Sequence, residues 1–215
     1  MRVKICGIRR VDDAVLAARL GADAIGVLVG QRHPSADFIS AEAAAAILRA
    51  LPPLVSGVMV SHCSTAAELL PLIEQVRPTL VQLHSAITPQ QIEVLRNARP
   101  ELKLLKAVHG ADAAVQAYEE LVDGFVADSF NPSTGQVGGT GLTHDWTLTA
   151  RLVQQLRRPL LLAGGLTPDN VVAAIKAVQP WGVDVNSGVK DATGFKDPER
   201  MKAFISAAKG CASQG

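Results

Sequence analysis

The chain has 215 residues, 48% hydrophobic, 4% aromatic and 19% charged, which excludes a disordered polymer and leaves enough apolar material for a large core. Lys and Arg number 21 against 20 Asp and Glu, a net charge of +1 with no basic cluster, which argues against nucleic acid as a partner. No uncharged apolar run reaches the roughly 18 residues of a membrane span, and the opening MRVKICGIRRVDDA lacks the apolar stretch of a secretory signal, so no membrane contact is expected. Cys6, Cys63 and Cys211 are odd in number and show no paired spacing, so neither a disulfide framework nor a cysteine metal site is expected. With no linker or low-complexity segment, the expectation is a single cytoplasmic domain over residues 1–215.

In chain order, short apolar runs at 2–6, 24–29, 55–60, 80–83, 103–107, 124–127, 160–163 and 182–185 predict strands. Amphipathic patterns at 12–16, 41–50, 65–76, 88–98, 111–120, 145–156, 168–177 and 197–208 predict helices between and after them. Ser40, Thr88 and Thr167 stand as helix caps, the last two followed by proline at the first helical position. Strict alternation of strand and helix implies parallel strands, because parallel neighbours need a crossover. Eight such units close an α/β (β/α)8 TIM barrel; an open doubly wound sheet, the competitor, usually has fewer strands and a Gly-rich turn after the first.

Glycines gather late in the chain, at Gly138-Gly139-Thr140-Gly141, Gly164-Gly165 and Ser187-Gly188, in the loops after strands six, seven and eight. Barrels of this kind often bind phosphate there. In a barrel the catalytic groups lie at the C-terminal strand ends. Those ends carry Cys6 (strand one), Arg32 and His33 (two), His62 (three), His84 (four), His109 (five), Asp128 and then His144 (six), and Asp184 (eight). All five histidines fall on that face, yet no H-x-H or H-E-x-x-H spacing supports a metal. Position alone leaves each candidate between two roles. Cys6 is a small buried hydrophobe or a thiolate, and Asp128 a turn residue or a proton donor.

The motifs Lys4-Ile5-Cys6-Gly7-Ile8, Gln82-Leu83-His84, Asp128-Ser129, Gly138-Gly139-Thr140-Gly141 with Asp145-Trp146, Ala163-Gly164-Gly165-Leu166 and Asp184-Val185-Asn186-Ser187-Gly188 occur in this order along nearly the whole chain. Together they resemble the phosphoribosylanthranilate isomerase family. That resemblance implies an aldose–ketose isomerase of tryptophan biosynthesis that takes a phosphorylated sugar, needs no cofactor or metal, and works as a monomer or homodimer. It implies that Cys6 is the general base and Asp128 the general acid. Gly139, Gly141, Gly164, Gly165, Ser187 and Gly188 would cradle the phosphate, and Gln82, His84 and Asp184 would face the substrate.

The stretch from Val27 to Ser40, VLVGQRHPSADFIS, departs from the family. The arginine that grips the anthranilate carboxylate is replaced by Asp37, a like charge, so Arg32 is expected to take its place. Leu142 and His144 replace a lysine and a phenylalanine. A paralogous isomerase acting on another phosphoribosylamine, and a non-catalytic sugar-phosphate binder, are the alternatives. Retention of Cys6 and Asp128 argues against the second.

Overall fold

The computed structural model describes residues 1–32, 35–109, 115–128, 130–131, 136–137 and 146–211. Eight parallel strands close a barrel: β1 (Arg2–Ile5), β2 (Ala24–Leu28), β3 (Ser56–Ser61), β4 (Leu80–Leu83), β5 (Lys103–His109), β6 (Gly124–Asp128), β7 (Leu160–Leu162) and β8 (Gly182–Val185). They neighbour one another in chain order, and β8 returns to pair with β1. The (β/α)8 barrel expected from the sequence is the fold observed.

The described α-helices are α1 (Val11–Arg19), α2 (Ala41–Arg49), α3 (Ala66–Val76), α4 (Pro89–Ala98), α5 (Trp146–Gln155), α6 (Val171–Val178) and α7 (Pro198–Cys211). Ser40 and Thr88 cap as expected, their hydroxyls accepting from the N–H groups of Ala43 and Gln91 at 3.2 and 3.4 Å. Two expectations are corrected, and one small element is added. After β5, the helix expected over 111–120 is a short 3₁₀ turn, Val115–Tyr118, with 111–114 outside the described residues. After β6 a small antiparallel ribbon pairs Phe130–Asn131 with Gln136–Val137. Finally, α6 starts at Val171 rather than after Thr167, because the Asn170 carboxamide turns back to accept from the Thr167 N–H at 2.8 Å.

Alternation along each strand sorts the side chains. Ile25, Val27, Met59, Val81, Leu83, Leu104, Val108, Phe125, Leu162 and Val183 pack outward with the helices in one continuous core. Their neighbours of opposite parity point inward. Cys6, Leu28, Val58 and Val60 form one inner cluster, and Leu105, Val126, Leu161 and Ala163 another, with Leu80 touching both. Lys4, Gln82 and Asp184 share the inward parity, so the barrel interior is apolar on two sides and charged between them.

Residues far apart in sequence meet where β1 joins β2. Asp23 accepts from Arg2, from the Val3 N–H and, at 2.6 Å, from Lys209 on α7.

Candidate active site

Lys4 lies at the centre of the site and is 1% exposed. Its ammonium donates to Asp184 Oδ2 at 2.7 Å and to Gln82 Oε1 at 2.8 Å, spanning the barrel from β8 to β4. Burial works against its charge, but Asp184 and Cys6 outweigh it and raise the pKa to about 12. Asp184 Oδ1 is buried with no hydrogen-bond partner among the described residues. Cys6, the residue after β1, is 7% exposed and is fixed by its N–H donating to Val185 O at 2.8 Å. The neighbouring strand makes room for it: a Cβ on Gly26 would stand 2.9 Å from Cys6 Sγ and 3.1 Å from Lys4 Cε. Burial pushes the thiol up to about 11, and Lys4 pulls against that rise.

The Lys4 ammonium can only donate, so the Gln82 oxygen must face it and the Gln82 amide group must face His84. His84 Nδ1, 3.1 Å from Gln82 Nε2, therefore accepts. Burial, aided by His109, His62 and nearby lysines, holds His84 well below the usual histidine range, so the ring is neutral. Its one proton then sits on Nε2, the nitrogen 3.8 Å from Asp128 Oδ2. That distance is beyond a hydrogen bond, and with a neutral ring the contact is no ion pair. A directed chain of donors thus runs from the Cys6 side of the barrel to the end of β6, where Asp128 stands.

Aromatic rings line the mouth above this chain. Phe38 meets His62 edge-on with centroids 5.0 Å apart, His62 stacks on His84 at 5.2 Å, and His109 meets His84 edge-on at 5.6 Å. Of the five histidines placed on this face by the sequence, these three form a continuous row, and His33 and His144 lie outside the described residues.

Asp37 does not stand as a bare negative charge. Lys190 donates to both its oxygens at 2.6 and 2.7 Å, and Asn186 Nδ2 donates at 2.9 Å. Burial opposes ionisation, but these partners hold the carboxyl below the usual range. Asn186 in turn accepts from Lys196 at 2.8 Å through both its backbone and side-chain oxygens. It packs so tightly on the residue after Cys6 that a Cβ on Gly7 would lie 2.3 Å from its Oδ1. Arg32, expected to replace the missing arginine, bonds instead to Glu68 at the start of α3 and is about half exposed. The structure thus brings Cys6, Gln82, His84, Asp128 and Asp184 together, and gives Arg32 a partner elsewhere.

The loops after β7 and β8 touch. Gly164 and Gly165 both take positive φ, 82° and 64°, a region open to glycine at little cost. Gly188, in the short turn beginning at Ser187, lies so close to Leu166 that a Cβ would stand 1.9 Å from its carbonyl oxygen. Gly139 and Gly141 lie outside the described residues. Sequence reasoning did not single out Lys4, Lys190 or Lys196 as site residues. The one available signal was Lys4, a charge set between the apolar Val3 and Ile5 inside the strand.

A closed parallel barrel whose polar interior, at the C-terminal strand ends, holds a thiol, an ammonium and carboxylates defines a (β/α)8-barrel enzyme of acid–base chemistry. The profile described as N-(5'-phosphoribosyl)anthranilate (PRA) isomerase matches residues 3–207. The chain is 45% identical to N-(5'-phosphoribosyl)anthranilate isomerase 2 of Methanosarcina mazei, over 97% of this chain and 94% of that one. It is 40% identical to the Pseudomonas fluorescens isomerase over 97% and 96%. The Thermotoga maritima isomerase superposes with a TM-score of 0.82 at 35% identity, covering 98% of this chain and 99% of that one. Another isomerase, crystallised with reduced 1-(o-carboxyphenylamino)-1-deoxyribulose 5-phosphate, superposes at 0.79 and 33%, with the same coverage. The chain belongs to the phosphoribosylanthranilate isomerase family, enzymes of tryptophan biosynthesis.

Proposed function

We propose that the chain converts N-(5'-phosphoribosyl)anthranilate to 1-(o-carboxyphenylamino)-1-deoxyribulose 5-phosphate, with Asp128 as acid and Cys6 as base. The observation that carries this reading is the Lys4–Gln82–His84 chain, which runs across the barrel from the surroundings of Cys6 and ends with His84 Nε2 3.8 Å from Asp128. Protonated Asp128 gives its proton to the furanose ring oxygen, the C1–O bond breaks, and the C1–N bond becomes an iminium. Cys6 removes the C2 proton, and the electron pair moves through C2–C1 to neutralise nitrogen, leaving an enolamine. A proton added at C1 and one lost from the C2 hydroxyl give the ketone. No oxidant or cofactor is needed, because one carbon is reduced as its neighbour is oxidised.

The thiol raised by burial fits this order of events. The iminium adds a second positive charge beside Lys4, so the thiolate is favoured when the C2 proton must leave. Asp184 Oδ1 supplies an open acceptor for a substrate hydroxyl, Gln82 and His84 line the sugar, and the loops around Gly164, Gly165, Ser187 and Gly188 receive the phosphate. The chain works as a monomer or homodimer. One T. maritima structure describes monomers of a dimeric isomerase. The test is a direct assay with freshly generated phosphoribosylanthranilate, paired with rescue of a tryptophan auxotroph lacking this step. Turnover and rescue support the reading. No turnover, with a different phosphoribosylamine isomerised instead, overturns it.

A further inference from the structure

Asp37 stands in the second loop where the resemblance given above implies an arginine, and it is held by a lysine from the eighth. From this exchange we propose that Lys190 is the cation that binds the anthranilate carboxylate, with Asp37 as its positioning residue. The inference rests on the substrate reading above and assigns the specificity-determining charge within it.

Three observations converge. First, place: Asp37 and Lys190 join through Asn186 to Gly7, directly after Cys6, so the pair stands beside the proposed base. Second, net charge: Asp37 is matched by Lys190, and Lys196 adds a further positive charge, so the cluster attracts an anion where Asp37 alone would repel it. Burial lowers Lys196 to about 8, which leaves it mostly charged at neutral pH. Third, reach: Lys196 is 2% exposed and committed to both oxygens of Asn186, whereas the Lys190 side chain is 19% exposed and has three donors. Lys190 is the one that can turn to a ligand.

The surrounding contacts fix the geometry. Arg9 donates to Ala36 O at 3.0 Å and to Gly194 O at 2.6 Å, bridging the second loop to the eighth. Ile39 N–H donates to Leu28 O at 3.0 Å and pins the second loop to its strand. Asp37 therefore presents both its oxygens to Lys190 from a held backbone. A lysine is a point charge rather than a planar fork, so this site selects the charge of the ortho group more than its orientation.

The experiment compares two ligands in the full-length protein: reduced 1-(o-carboxyphenylamino)-1-deoxyribulose 5-phosphate and its phenylamino counterpart without the carboxylate. The wild type is expected to prefer the carboxylated ligand by about 30-fold or more. Lys190→Met should reduce that preference by about tenfold while changing affinity for the phenylamino ligand less than about threefold, and Lys190→Arg should keep it. In turnover, Lys190→Met should raise KM about tenfold with kcat within about threefold. A preference unchanged in Lys190→Met, or equal weakening of both ligands, overturns the proposal, the second result showing a purely structural staple. Should Lys190→Met fail to fold, Asp37→Asn decides: it removes the carboxylate that positions Lys190, so the preference should fall at least about threefold while affinity for the phenylamino ligand changes less, and an unchanged or larger preference overturns the proposal. Wild-type turnover of phosphoribosylanthranilate separates the two claims. Its absence removes the substrate reading and this inference with it, while its presence with an unmoved preference removes this inference alone.

Discussion

Lys4 and Asp184 stand in register on β1 and β8, and their side chains meet at 2.7 Å in the barrel interior, 1% and 6% exposed. Deleting one partner of such a pair leaves the other charge buried without compensation, which costs about 3–5 kcal/mol. Lys4→Met should therefore lower the unfolding free energy in urea by about that amount, and Lys4→Met with Asp184→Asn by clearly less. Equal stability of the single and double variants would show that the two charges do not depend on one another.

Cys6→Ala and Asp128→Ala should each lower kcat by about a hundredfold or more with the circular dichroism spectrum unchanged, because each removes one proton-transfer group. Single-turnover kinetics with ring opening monitored separately should divide them. Asp128→Ala should block the first step, and Cys6→Ala the second. Near wild-type turnover in either variant would remove that residue from the mechanism.

The thiol's pKa of about 11 makes a pH prediction for the free protein. The thiolate is the reactive form, so below the pKa its fraction grows about tenfold per pH unit. Alkylation of Cys6 by iodoacetamide, followed by peptide mass spectrometry, should rise by about a hundredfold between pH 8 and 10. Lys4 lowers the thiol pKa, so Lys4→Gln should slow the reaction at every pH in that range. A plateau near pH 8 would mean that the thiol titrates much lower than its burial implies.

Gly188→Ala would force a Cβ into the space of the Leu166 carbonyl and part the loops after β7 and β8. It should weaken competitive inhibition by inorganic phosphate at least about tenfold. Inhibition unaltered in a folded Gly188→Ala variant would place the phosphate elsewhere.

The barrel was legible in the sequence because strands buried on both faces read as unbroken apolar runs, and capping residues such as Ser40 and Thr88 mark where the helices begin. The 3₁₀ turn at Val115–Tyr118 was not, since a short amphipathic stretch has the same period whether or not it completes a helix. The places of Cys6, Asp128 and Gln82 at the C-terminal ends of their strands were legible in the sequence. Asp37 was misread as a repelling charge because Lys190 lies 153 residues away, and pairing at that range leaves no local trace. Lys4 was passed over because a single lysine between Val3 and Ile5 looks like an exposed strand residue until the barrel closes around it.

Contacts between distant parts of the chain bear on how it folds during synthesis. Lys4 is made 180 residues before its counter-charge Asp184, and Asp23 waits a similar span for Lys209. A nascent chain lacking β8 carries a central ammonium with no carboxylate to bury beside it. The ring cannot close before β8 is made, and until then β1 lacks its second neighbour and is a free sheet edge of the kind that invites aggregation.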